Sequence, residues 1–174
     1  MKTLAASKSA GFTLIELMIG VAILGTLVAV GLPSFTQMLR NSQVRGAAES
    51  VANGIQRARG EAVAHNAKVQ FTLASDTSWY VDYVATPNAA ARLDSRDNTS
   101  SAAATMTILP AFATTITFNQ LGQIVSPNAD ASLPLTQISF AATGSNLNLR
   151  VTIGAGGNAR VCDPSLPVTN LRAC

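Results

Sequence analysis

Histidine occurs once, tryptophan once and cysteine twice among 174 residues, and charged side chains make up only 12%. So thin a supply of imidazole and thiol leaves little material for a metal site or a general-base catalyst. Average soluble domains carry roughly 25% charged residues; here 48% of the chain is hydrophobic instead. Disordered chains need the opposite balance and are excluded. Twelve glycines and two cysteines likewise exclude a collagen-like or disulfide-dense scaffold. The net charge of +3 hints at an acidic partner but is too small to mark a nucleic-acid binder. The length suits one domain with a core of ordinary size.

What the chain has in excess is one apolar run. Leu17 to Leu32 contains no charge, and its sixteen residues make about 24 Å of helix, short of a bilayer core of about 30 Å. Extension back to Phe12 and on to Leu39 makes the segment long enough to span, but encloses Glu16. The polar leader before it carries Lys2 and Lys8 and reads as a cytoplasmic flank; Arg40 and Arg45 follow the run. A cleaved secretory signal is the plain alternative. Against it stands Glu16, since a carboxylate within such a run costs about 2.5–3.5 kcal/mol on insertion scales. The helical pattern also outlasts the run. Val44, Ala48, Val51, Ile55, Ala58 and Ala62 step by three or four residues, with Arg45, Glu49, Gln56 and Glu61 on other faces. One helix from Phe12 to His65 is expected, stopped at Asn66, with Gly20, Gly25, Gly31 and Pro33 as points where it could bend. Its first half would pack among identical helices or lipid, its second half against a globular head.

After Asn66 the apolar period changes from 3.6 to 2. Strands are expected at Val69 to Leu73, Trp79 to Val84, Thr105 to Leu109, Thr114 to Phe118, Ile124-Val125, Thr136 to Phe140, Leu147 to Ile153 and Ala159 to Cys162. Pro87 to Ala104 has no periodicity and reads as a long surface loop. A long helix followed by short strands implies an α+β fold, the helix packed on an antiparallel β-sheet head. Cys162 and Cys174 either pair or remain as buried thiols. A disulfide closing a loop of that size is worth about 3 kcal/mol in the entropy model and needs an oxidising compartment.

Gly11-Phe12-Thr13-Leu14-Ile15-Glu16-Leu17 after a short basic leader resembles the processing motif of type IV pilins and pseudopilins. The resemblance implies cleavage between Gly11 and Phe12 by a prepilin peptidase, followed by methylation of the new Phe12 amine. It also implies assembly roles for Glu16, whose carboxylate would pair with a neighbouring subunit's terminal amine, and for Pro33, at the family's helix-kinking position. A partner amine answers the physical problem as well, because a charge in apolar surroundings is tolerable only when matched. Within this class, Ala58-Arg59-Gly60-Glu61-Ala62-Val63, the Phe118 to Gly122 turn and the Gly157 to Cys162 segment resemble the GspH/FimT group of minor pilins and pseudopilins. Residues 1–11 are then a leader, 12–39 a transmembrane and polymerisation helix, 40–66 its amphipathic half and 67–174 a periplasmic head. The implied location is the bacterial inner membrane, single-pass, and then a pilus or pseudopilus. The implied partners are other pilin subunits, the prepilin peptidase and membrane lipid.

Some FimT-type pilins bind DNA through a C-terminal Gly-Arg-x-Arg motif. The matching stretch here is Gly157-Asn158-Ala159-Arg160, with Asn158 in place of the first arginine. Arg150, Arg160 and Arg172 are the candidate DNA contacts, although three cations without an aromatic residue beside them make a sparse site.

An enzyme finds little support. His65 sits at a helix end, and Gly154-Ala155-Gly156-Gly157 lacks the Lys-Ser/Thr of a phosphate loop. Asp94 and Asp97, with Arg92 and Arg96, read as a solvated charge cluster rather than paired catalytic carboxylates. Trp79, Tyr80 and Tyr83 read as sheet packing. No cofactor and no metal is expected. The expected function is a structural minor pilin or pseudopilin, with a DNA-capturing pilin as the alternative and a signal-anchored enzyme as the remote third.

Overall fold

In the computed structural model, residues 11–74, 76–85, 92–97 and 103–174 are described. The leader, apart from Gly11, lies outside them, as do 87–91 and 98–102 of the segment read as a loop. The chain divides into two units, one ending at Thr36 and one running from Gln37 to Cys174.

The first unit is the apolar part of α1 (Leu14–Ala64), where an 18-residue window of mean hydropathy 2.3 has none of its surface buried. Helix persists through Gly20, Gly25, Gly31 and Pro33 without interruption. Thr36 donates its hydroxyl to the Pro33 carbonyl at 2.9 Å.

The second unit begins with the remainder of α1 and adds eight strands. Small residues make up most of the helix's buried stripe, including Ala47, Ala48, Gly54, Ala58 and Ala62 between the larger Val44, Val51 and Ile55. Small side chains let the helix backbone approach the sheets closely. The helix stops where the sequence places an Asn. Asn66 adopts φ +47°, and Ala67 donates its amide back to the Ala62 carbonyl at 3.2 Å, an αL cap.

The strands are β1 (Val69–Leu73), β2 (Trp79–Tyr83), β3 (Asp94–Arg96), β4 (Ala104–Leu109), β5 (Thr115–Phe118), β6 (Gln137–Ala142), β7 (Leu149–Ile153) and β8 (Ala159–Cys162). They form two four-stranded sheets, β3-β2-β1-β5 and β4-β6-β7-β8, with every pairing antiparallel. Their inner faces share one core with α1, centred on Phe71, Phe118, Phe140, Ile55, Ile116 and Ile138.

Two expectations need correction. The segment read as one loop from Pro87 to Ala104 contains β3, whose Asp94, Ser95 and Arg96 pair with Val81, Tyr80 and Trp79. Three polar residues carry no alternating signal, so the neighbouring β2 supplies what the local sequence does not. The expected strand at Ile124-Val125 reduces to an isolated bridge between Ile124 and Phe118. A different device lines β5 here. Asn128, almost fully buried, accepts from the Thr117 amide at 2.8 Å and donates to the Thr115 carbonyl at 3.1 Å. Its amide side chain replaces a neighbouring strand.

Candidate functional site

At the start of α1, Thr13 and Glu16 form a capping box. One Glu16 carboxylate oxygen accepts from the Thr13 amide at 2.9 Å and from its hydroxyl at 2.8 Å, while the Glu16 amide donates to Thr13 Oγ1 at 3.3 Å. Within the apolar segment the carboxylate is thus held by Thr13. Phe12 itself is 90% exposed, and Leu14, Ile15, Leu17 and Met18 are exposed after it. Large apolar side chains left bare on every face of a helix need lipid or other helices to cover them. Nothing about Thr13 was singled out in the sequence, although a Thr three residues before a Glu at a helix start is the signal for such a box.

The Arg59-Gly60-Glu61 stretch serves the head's architecture. Arg59 Nε donates to the Gly122 carbonyl at 3.1 Å, and Gln56 donates to the Ala159 carbonyl at 3.2 Å, so adjacent turns of α1 hold the Gly122 loop of one sheet and, where the β7–β8 loop ends, the first residue of β8 in the other. The two loops also meet each other: a Cβ on Gly157, at φ +80°, would come within 2.5 Å of the Gly122 carbonyl oxygen. Glu61 binds Arg57 at 2.8 Å and His65 at 3.1 Å, and Arg57 lies 4.0 Å from Asp94. His65 meets Tyr83 edge-on, while Arg92 stacks over the Tyr80 ring at 4.1 Å. The charges of the 92–96 segment therefore attach β3 to α1 and β2. Asp82, beside them, is buried. Among the described residues its Oδ1 has no hydrogen-bond partner, and desolvation pushes its carboxyl above the ordinary aspartate range against the pull of Arg92.

Cys162 and Cys174 are joined by a disulfide, with Cα atoms 5.0 Å apart. Arg160 reinforces the loop that it closes, donating from Nη2 to the Leu171 carbonyl at 2.8 Å and the Ala173 carbonyl at 3.0 Å. Arg150 extends across the neighbouring strand to donate to Ser139 Oγ at 3.3 Å. Arg150 and Arg160 stand on the outer face of the second sheet, whereas Arg172 lines a small cavity with Arg45, Glu49 and Asp163. The three arginines thus do not gather on one surface, and two carboxylates stand beside the third.

A bare apolar helix, long and apolar enough to cross a membrane, continuing into a head of two antiparallel sheets defines a subunit of the pilin class. The chain belongs to the family described as type II transport protein GspH, whose profile matches residues 47–163. Residues 6–32 match the prokaryotic N-terminal methylation motif. Two crystal forms of the type IV minor pilin FimU from Pseudomonas aeruginosa share the fold, each with a TM-score of 0.52. The first is 20% identical and covers 72% of this chain and 94% of its own; the second is 22% identical and covers 73% and 90%. Among curated proteins no sequence matches.

Proposed function

We propose that this chain is a structural subunit, a minor pilin or pseudopilin, built at or near the tip of a type IV pilus or type II secretion pseudopilus and aiding its assembly. A prepilin peptidase cuts between Gly11 and Phe12, and the Phe12 amine is methylated. The mature subunit waits in the inner membrane with its head in the periplasm, where an oxidising environment closes the Cys162–Cys174 bond. Polymerisation then carries the apolar half of α1 from lipid into contact with other pilin helices, and Glu16 exchanges its Thr13 contacts for a neighbour's terminal amine.

One observation carries the reading: Glu16, the fifth residue after the proposed cut, holds its carboxylate in an apolar helix segment whose surface is wholly bare. Removing one member of a desolvated charge pair strands the other and costs several kcal/mol. Intact-mass spectrometry of the full chain from its native membranes should find a mature form beginning at methylated Phe12. Glu16→Gln should lower incorporation into sheared filaments by at least about tenfold. An uncut leader, or cleavage beyond the apolar run, overturns the assignment.

A further inference from the structure

The two sheets have four outer edges, and three are closed by the chain itself. β3 is three residues long and bears Asp94 and Arg96. β5 is lined by the Val125 amide bonded to the Thr117 carbonyl, by the Leu135 amide bonded to the Thr115 carbonyl, and by Asn128. β8 gives its Ala159 carbonyl to Gln56 and runs into the tail, which folds back through the Asp163–Ala173 bridge. Short length, charge and covering segments are the usual protections of an edge.

Among the described residues β4 has none of them. Its six residues, Ala-Thr-Met-Thr-Ile-Leu, carry no charge and no proline, and they pair with β6 without a break from Ala104–Ala142 to Leu109–Gln137. The Leu109 carbonyl accepts the Thr136 amide at 3.0 Å and so points toward β6. Antiparallel ladders alternate, so Ala104, Met106 and Ile108 direct their N–H and C=O groups away from the sheet. Among the described residues nothing pairs with them. Thr105, Thr107 and Leu109 are exposed on the outer face.

That face has a sign. Its strands carry Arg150 and Arg160 and no acidic residue. Arg150 leans over β6 onto Ser139, which stands opposite Thr107 of β4. A strand added beyond β4 would lie about 10 Å from β6, two strand spacings, a gap that a glutamate and the extended arginine can close between them.

We propose that β4 is a strand-addition site for an extended segment of a different pilin-class subunit, one presenting a carboxylate on the face shared with Thr107 and Arg150. Backbone bonds to Ala104, Met106 and Ile108 supply the attachment, and Arg150 selects the acidic register. This rests on the filament-subunit reading above.

A photoreactive benzoylphenylalanine in place of Thr107, in the full chain in its native cells, tests it. Irradiation should give an adduct whose second component, identified by mass spectrometry, is another protein bearing an N-terminal methylation segment. Met106→Pro removes an outward donor without touching the β6 ladder and should lower that adduct about tenfold. Arg150→Glu should lower it several-fold. The Cys162–Cys174 bond and the membrane level of each variant report folding; should Met106→Pro fail to accumulate, Arg150→Glu decides alone. An adduct with a second copy of this chain or with nucleic acid overturns the proposal, as does one indifferent to both substitutions. A chain present in sheared filaments without any adduct overturns it and leaves the subunit reading standing; a chain with an uncut leader and absent from filaments overturns both.

Discussion

Gly54 of α1 lies so close under the indole of Trp79 that a methyl group placed on it would stand 2.8 Å from Cδ2 and Cε2, and 2.9 Å from Phe71. Trp79 is fixed from its other end, its Nε1–H donating to Ser50 Oγ at 3.0 Å one turn earlier on the helix. Helix, indole and phenyl ring thus meet where no β-carbon fits. Gly54→Ala should destabilise the head by about 1–3 kcal/mol through overpacking. Gly46→Ala and Gly60→Ala, where an added carbon meets nothing within 4 Å, should stabilise by about 0.5–1 kcal/mol through helix propensity. Thermal unfolding of the detergent-solubilised chain followed by circular dichroism distinguishes the two signs. Equal destabilisation at all three positions would refute the close contact.

Asp82 gives the fold a dependence on pH. Burial raises its carboxyl above the ordinary aspartate value of 3.8, with Arg92 pulling the other way. A raised folded-state value means that its contribution to stability is fully present below that ordinary value and is lost as pH rises through the elevated one. Asp82→Asn should therefore be more stable than the parent at neutral pH, and the gap should close on acidification toward pH 3 to 4. Denaturant titrations at a series of pH values measure it; a gap that widens on acidification contradicts the sign.

Asn66 carries the left-handed turn that ends α1. Asn66→Ala should cost about 1 kcal/mol, because a β-carbon disfavours that conformation, whereas Asn66→Gly should be neutral or slightly stabilising. Unfolding midpoints of the two variants should fall in that order.

The tail depends on one covalent bond and one arginine. Changing both cysteines to serine should lower stability by about 2–4 kcal/mol and speed amide exchange between Asp163 and Ala173. Arg160→Lys should restore part of the exchange protection lost in Arg160→Ala, since the carbonyls of Leu171 and Ala173 both accept from the single nitrogen Nη2, a role that one ammonium with three donors can fill.

Much of this was readable from period and composition. The helix, its Asn stop and seven of the eight strands follow from apolar spacing, because each buries at least one face against a shared core. β3 did not, since its place is set by pairing with β2 and by Arg57 reaching Asp94. The division into two sheets was equally silent; alternation within a strand says nothing about which neighbour it chooses. At the processing end, Gly11, Phe12 and Glu16 stood out from their motif, while Thr13 emerged only through its bonds to Glu16. Asn128 shows the general difficulty. Ser126-Pro127-Asn128 reads as a turn, and that the Asn side chain serves as a strand's partner depends on contacts eleven and thirteen residues away.

The paired grips of Arg59 on Gly122 and Gln56 on Ala159, with Gly157 wedged against the Gly122 carbonyl, have a mechanical meaning. Tension applied along α1 enters both sheets at neighbouring points and is shared across the join between them. A head gripped in this way is expected to resist traction as a single block.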